Sequence, residues 1–143
     1  MEVVVFGPGE GEVFGPLRIL AQSPDHPIGF TEQMVPPGFP GPVRHRHARM
    51  YDIFYVLDGT LTLEVEAEEK ALGAGSFAMV PPGVVHTFSN SGSELVRFLN
   101  IYHPAGNEQY LKEVVRRMAE GRPPSQEEMA QIASRYDFEP VGE

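Results

Sequence analysis

The sequence of 143 residues contains no cysteine. It can therefore form neither a disulfide bond nor a thiolate–metal bond, so any bound metal ion must use nitrogen and oxygen donors. Basic residues are also scarce, because 11 lysines and arginines stand against 20 acidic residues and the net charge is −9. That balance argues against nucleic acid or an anionic membrane as the main partner, whereas it leaves a small-molecule substrate or ligand open.

Long apolar runs are absent as well. No stretch approaches the length of a transmembrane helix, so we expect no membrane association. The apolar run near the N-terminus is too short for a signal peptide and lacks a basic start. We therefore expect a cytoplasmic protein. With 41% hydrophobic residues, the chain has the composition and length of one domain with a sizeable core.

Glycine and proline are abundant, with 15 and 14 residues, and they recur between short apolar runs. This rhythm predicts an all-β fold with many tight turns, such as a sandwich or a barrel. The predicted early strands cover residues 2–6, 17–22 and 28–35. Further short strands follow between residues 53 and 102.

The spacing of apolar residues changes after residue 105. A stripe at helical spacing predicts a first helix, capped by Asn107, and the pattern Ser125–Glu128 is a capping box that opens a second one. The first stripe consists of Tyr110, Leu111, Val114, Val115 and Met118. We predict a β-barrel over residues 1–105 and, within the same domain, a helical extension over 106–143 that packs on its outside. We interpret the apolar stripes as core packing.

Four side chains are spaced so that they could hold one metal ion. His45 and His47 lie two residues apart, so on an extended strand both imidazoles point to the same face. Asp52 starts the next apolar run, and His86 lies in a later one. The odd spacing from His47 to Asp52 requires a turn between them. Three imidazoles and a carboxylate suit one divalent ion such as Mn, Fe, Co, Ni, Cu or Zn.

At these positions the sequence resembles the cupin superfamily, over about residues 30–103. The first cupin motif is matched by a glycine at position 38 or 41, His45, His47, Asp52 and Gly59; the second is matched by Gly75, Pro81, Gly83, His86 and Asn90. Asp52 replaces the glutamate that the family usually has. Because its side chain is one methylene shorter, its carboxylate could bind the metal directly, bind through a water molecule, or stand behind the ligands.

The resemblance implies a fold and an activity. The fold is the double-stranded β-helix, or jelly-roll barrel, and related cupins dimerise through sheet edges, so we expect a homodimer. The chain looks like the single-domain, quercetin-dioxygenase-like group, which implies an oxidoreductase that cleaves a phenolic ring. His45, His47 and His86 would bind the metal, and Asp52 would be a ligand, a catalytic base or both. A metal-dependent isomerase or lyase without redox chemistry and a non-catalytic small-molecule-binding module are the alternatives.

Strand alternation predicts which side chains surround the metal. Residues that share a face with Asp52 or His86 should point inward. On the last strand either the even-numbered or the odd-numbered residues from 96 to 102 face inward, and we prefer the even set, which places Tyr102 near the mouth. The predicted pocket residues are Met34, Phe54, Val56, Phe88, Phe98 and Tyr102. Such a pocket is apolar and aromatic, and it suits a flat or hydrophobic molecule better than a phosphorylated sugar.

Overall fold

A computed structural model describes residues 3–142 of the chain. In chain order the strands are β1 (Glu12–Phe14), β2 (Leu17–Ala21), β3 (Gly29–Val35), β4 (His45–Arg46), β5 (Tyr51–Asp58), β6 (Leu61–Val65), β7 (Glu68–Leu72), β8 (Phe77–Val80), β9 (His86–Ser89), β10 (Val96–His103) and β11 (Glu139–Pro140). Helices α1 (Asn107–Ala119) and α2 (Gln126–Ala133) lie between β10 and β11.

The strands form two antiparallel sheets. The six-stranded sheet has the order β1-β2-β3-β10-β5-β8, and the five-stranded sheet has the order β11-β4-β9-β6-β7. Strand β10 lies at the centre of the larger sheet, where it pairs with β3 on one side and β5 on the other. This is the double-stranded β-helix that the sequence predicts.

The core lies between the two sheets. On β10 the even-numbered residues are buried, as preferred from the alternation, because this face of the strand packs toward the core between the sheets. Apolar side chains from both sheets meet there: Val35, Phe54, Val56, Leu61, Leu63, Val80, Phe88, Val96 and Phe98. A core of this kind fixes the sheet registers, since a slip of one residue would turn every apolar side chain outward.

Two glycines allow close backbone contacts that position the ligand-bearing strands. Gly59 ends β5 with a φ of 81°, and a Cβ there would lie 2.6 Å from the carbonyl oxygen of Leu95. Gly41, before β4, has a φ of 82°, and a Cβ there would collide with the carbonyl oxygen of Phe88. Both positions therefore need glycine for its positive φ and its missing side chain.

The N-terminal strand predicted over residues 2–6 is not formed in its described part. Residues 3–6 have no strand partner, and Val3 and Val5 are 88% and 81% exposed; residue 2 lies outside the described range. β-Branched residues favour strands only where a neighbouring strand pairs with them. The strands predicted at 17–22 and 28–35 are confirmed as β2 and β3. The homodimer stays a prediction.

The helices begin differently from one another. The capping box of α2 is confirmed, because Ser125 accepts a hydrogen bond from the Glu128 amide and Glu128 accepts one from the Ser125 amide. The predicted Asn107 cap is wrong, since α1 begins at Asn107 without a side-chain capping bond. Instead, the Glu108 carboxylate accepts the Gly106 amide at 2.8 Å. Within residues 3–142, no helix has the length and apolarity needed to cross a membrane.

Candidate metal centre

His45, His47, Asp52 and His86 converge at one buried point. They come from β4, the residue after it, β5 and β9, and each is at most 3% exposed. One donor atom from each lies within 4.8 Å of the donor atoms of the others. The two strands that carry histidines are paired directly, His45 opposite His86. The chain bends between His47 and Asp52, which brings the carboxylate to the side of the imidazoles.

The three imidazoles share one hydrogen-bonding pattern. Nδ1 of His45 donates to the Val43 carbonyl at 2.7 Å, and Nδ1 of His86 donates to the Val84 carbonyl at 3.0 Å. Nδ1 of His47 donates to the carbonyl of Asp137. A carbonyl oxygen can only accept, so in each neutral ring Nδ1 carries the hydrogen and Nε2 is left with a lone pair. Ring nitrogens held in this way are typical of histidines that bind metals.

This arrangement fits a cation. Nε2 of His47 is buried without a hydrogen-bond partner. Oδ2 of Asp52 lies 2.8 Å from Nε2 of His86 and 3.5 Å from Nε2 of His47. Lone pairs facing a carboxylate at such distances repel each other unless a proton or a metal ion lies between them. Three nitrogen donors and one oxygen donor are a suitable set for a borderline divalent metal.

A buried polar network supports Asp52 from behind. Its Oδ1 accepts a hydrogen bond from Nδ2 of Asn100 at 2.7 Å, and that amide also donates to the Ile53 carbonyl at 2.9 Å. Oδ1 of Asn100 accepts from the Tyr102 hydroxyl and, at 3.2 Å, from Gln33. The network leaves Oδ2 of Asp52 to face the imidazoles. Strand alternation predicted the inward direction of Asn100 but not its contact with Asp52.

The charge states follow from burial and from these neighbours. Burial raises the pKa of Asp52, but the nearby imidazoles of His47 and His86 outweigh burial and lower that pKa below its ordinary value. Burial and the neighbouring His86 lower the pKa of His45 to about 3. For His47, the lowering by burial is outweighed by Asp52, so its pKa is raised. Burial and the charge of Asp52 raise the pKa of Tyr102. The site thus combines an ionised carboxylate with a neutral His45 at neutral pH.

A cavity of about 670 Å³ opens beside this cluster. His45 and Asp52 line it, together with Gln33, Asn100 and Tyr102. The rest of its wall is almost entirely apolar, and none of the described lining residues is lysine or arginine. A volume of this size suits a small organic molecule.

The predicted pocket residues divide into two groups. Met34, Phe88 and Tyr102 line the cavity. Phe54, Val56 and Phe98 do not line it, and they lie fully buried in the core between the sheets. Tyr102 is also fully buried, and it lies against the polar network rather than at an open mouth.

The helices cover the cavity. Every residue of the predicted α1 stripe is part of the cavity wall. These residues are Tyr110, Leu111, Val114, Val115 and Met118. Core packing accounts for only part of the apolar face of α1. In that part, Tyr110 packs with Ile132, Ala133 and Phe138. Helical spacing fixes which residues share a face but not what that face covers.

Two groups of residues at the site have no counterpart among the residues predicted from the sequence. Thr31 and Gln33 are polar residues at inward positions of β3, and that break in the apolar alternation was the available signal. Asp137 and Phe138 follow α2, and Phe138 stacks on His45 with ring centroids 4.2 Å apart. No local pattern marks this segment, because its partners lie about 90 residues earlier in the chain.

Comparisons with known proteins agree with this architecture. A family model described as "Cupin domain" matches residues 31–102. An uncharacterized protein from Aquifex aeolicus is 41% identical over 63 residues, which are 44% of this chain and 51% of that protein. The match thus spans about half the length of this curated relative.

Two solved structures illustrate the likeness. A cupin-2 domain containing protein from Shewanella frigidimarina is 25% identical with a TM-score of 0.51, over 65% of this chain and 83% of that chain. KdgF from Halomonas sp. is 17% identical with a TM-score of 0.60, over 76% of this chain and 98% of that chain. The second likeness concerns the fold alone.

Proposed function

The chain belongs to the cupin family, and from that premise we propose that it is a metal-dependent, dioxygenase-like enzyme acting on an uncharged apolar or aromatic molecule. His45, His47 and His86 bind the divalent ion in this proposal, and Asp52 completes the set as a ligand or acts as the base. One observation carries it: a carbonyl holds Nδ1 of all three imidazoles, so each Nε2 is directed to the cluster, and His45 and Asp52 of that cluster line an apolar cavity.

The position of the cavity supports a reaction at the ion. His45 and Asp52 both line it, so coordination positions not taken by the protein would be open to a molecule inside. When bound, the metal supplies a Lewis acid and, if it is redox-active, an electron relay between an organic substrate and dioxygen. The apolar walls keep bulk water from the reacting groups.

The chain's own residues have separate tasks. Asp52 is ionised and can take a proton from a substrate hydroxyl. Asn100 keeps the carboxylate oriented, because it engages Oδ1 and leaves Oδ2 toward the site. The stripe of α1 contacts the apolar body of the substrate and holds it over the metal.

The lining supports the substrate class. A phosphorylated sugar or a small dianion would need lysine or arginine to balance its charge, and the described wall offers neither. A flat phenolic molecule matches the wall better, since it buries an apolar body and has one weakly acidic hydroxyl. The resemblance to quercetin-dioxygenase-like cupins supports the same class.

Oxygen consumption tests this proposal. The protein is loaded separately with Fe²⁺, Ni²⁺, Cu²⁺ and Zn²⁺ and is offered a panel of phenols that includes quercetin and catechol. We expect at least one redox-active ion to support oxygen uptake with loss of substrate, no turnover under argon, and recovery on admission of air. The same rate of substrate loss under argon and in air would contradict dioxygenase chemistry.

The ionised Asp52 favours a second candidate, an isomerase or lyase that uses the metal only to polarise a carbonyl. A carboxylate that is fixed by Asn100 and ionised at neutral pH can accept a proton, but its lowered pKa makes it a weak base, so it would act on a proton that the bound metal makes acidic. Full activity with Zn²⁺ under argon would support this candidate over the dioxygenase.

A further inference from the structure

The segment that follows α2 contacts the metal-binding loop at several points. The carboxylate of Asp137 accepts hydrogen bonds from three successive amides: Oδ1 from Ala48 at 2.6 Å, and Oδ2 from Arg49 at 2.9 Å and from Met50 at 3.0 Å. These amides belong to the bend that joins His47 to the strand of Asp52. One side chain therefore holds the connection between two candidate ligands.

The same residue also orients a ligand directly. The backbone carbonyl of Asp137 accepts the hydrogen of Nδ1 of His47. Rotation of that ring would break the hydrogen bond and turn Nε2 away from the cluster. Charge-assisted hydrogen bonds from three amides hold the Asp137 backbone in place, so the side chain and the carbonyl act together.

The neighbouring residues secure the other histidine of the pair. Phe138 stacks on His45 at an angle of 16° between the ring planes. β11 pairs with β4, which places Pro140 opposite His45 and Glu139 opposite Arg46. The amide of Val141 donates to the Arg44 carbonyl at 2.8 Å. Strand β4 has only two residues, so β11 is a large part of its support.

We propose that residues 137–141 are a functional part of the metal centre, and that Asp137 is the positioning residue that sets its metal affinity and coordination geometry. The inference rests on the proposed metal binding. It concerns a segment outside residues 31–102, the part of the chain that the family model matches. Metal binding and docking of this segment are then coupled, and each stabilises the other.

Cobalt binding tests the proposal, because the visible spectrum of Co²⁺ reports ligand geometry as well as occupancy. Asp137→Ala should weaken Co²⁺ binding by about 10- to 100-fold, the usual effect of losing a group that orients a ligand, and should change the spectrum. The Co²⁺ affinity of Asp137→Asn should fall between that of Asp137→Ala and that of the wild type, because the amide oxygen of asparagine still accepts a hydrogen bond. Glu120→Gln is the control, since it alters only the exposed Arg122–Glu120 ion pair, which lies outside residues 137–141 and away from the cluster.

A second measurement keeps the test independent of folding defects. In the wild-type protein, Co²⁺ should slow amide hydrogen exchange at residues 48–50 and 141. Wild-type affinity and spectrum in Asp137→Ala, or exchange unchanged by Co²⁺ at these amides, would overturn the inference while metal binding stands. Failure of the wild type to bind Co²⁺, Fe²⁺, Ni²⁺, Cu²⁺ or Zn²⁺ would instead remove the proposed function on which it rests.

Discussion

The metal centre has two halves that are supported in different ways. Asp52 lies on an eight-residue strand between β10 and β8, backed by the Asn100 network. His45 and His47 lie on and just after a two-residue strand, which is held by β9 on one side and by the C-terminal segment on the other. The carboxylate half is thus part of a continuous sheet and core, whereas the histidine half depends on a separate docking event.

The two halves differ in the contacts that hold their candidate ligands in place. Long strands share their register with the core, so Asp52 cannot shift without moving many apolar side chains. A strand of two residues gains little from its own ladder, and hydrogen bonds and stacking from residues 137–141 replace the missing pairing. We therefore expect changes in the network behind Asp52 to act mainly on stability, and changes in residues 137–141 to act mainly on metal affinity.

The largest effect is expected when a ligand is removed from each half. Metal sites of about four ligands bind with roughly 10–16 kcal/mol, so losing one in His45→Ala should lower Co²⁺ affinity on the order of 1000-fold. Asp52→Ala should match it if the carboxylate binds the ion, and should lose only about 10- to 100-fold if it stands behind the ligands. Competition with a chelator measures both.

His103→Ala is the matched control, because this histidine is exposed at the end of β10 and lies outside the cluster. Retention of wild-type affinity by His45→Ala would remove that residue from the ligand set.

A smaller effect is expected from Asn100→Ala in the carboxylate half. The change leaves Asp52, Tyr102 and Gln33 with buried groups that lose a partner. It should lower the free energy of unfolding by about 3 kcal/mol, as expected for buried unsatisfied groups. Tyr102→Phe, which removes a single hydroxyl from the same network, should lower it by only about 1 kcal/mol. Urea unfolding of the metal-free proteins measures both, and equal losses would contradict the central place of Asn100.

The pH dependence of stability separates the halves further. In the folded, metal-free protein the pKa of His45 is about 3, compared with 6.5 for an ordinary histidine. The unfolded chain therefore binds an extra proton below pH 6.5, and acidification favours unfolding. Between pH 6.5 and pH 5 the loss should be about 2 kcal/mol, at 1.36 kcal/mol per pH unit.

The shifted pKa values of His47 and Asp52 add little to the pH dependence of stability between pH 6.5 and pH 5. The raised pKa of His47 stabilises the fold fully below pH 6.5, and that contribution is lost only as the pH rises through its folded pKa. The lowered pKa of Asp52 stabilises the fold above 3.8, and that contribution is lost only at lower pH. Urea unfolding at several pH values should thus give a slope that becomes much smaller in His45→Gln, and the carboxylates with lowered pKa values account for what is left near pH 5. A slope that persists in full in this variant would assign the proton to another residue.

The smallest effect on the metal centre is expected from filling the cavity. Val114→Phe on α1 places a ring among the lining residues, so binding of the uncharged fluorescent probe N-phenyl-1-naphthylamine should weaken by about tenfold while Co²⁺ affinity stays within about twofold. The same change at exposed Val13, which does not line the cavity, should alter neither. Equal probe binding in both variants would place the probe elsewhere.

Part of this site could be predicted because the signals are local. The i, i+2 spacing of His45 and His47, the turn glycine at 59 and the inward position of His86 depend only on strand geometry. Asn90 of the second motif bonds the backbone of Gly92, Glu94 and Val35, as an asparagine in a turn commonly does. Met34, Phe88 and Tyr102 line the cavity, whereas Phe54, Val56 and Phe98 do not, because alternation gives the face of a strand but not the depth along it.

The sequence by itself determined the fold family through its two cupin-like motifs, the candidate ligands through those motifs and the histidine spacing, and the face of each strand through alternation, since all of these signals act over a few positions. Only the tertiary structure decided that α1 covers the cavity and that Asp137 holds His47, because these contacts join segments up to about 90 residues apart. Their formation depends on how the whole chain closes around its core, and no local pattern in the sequence records that closure.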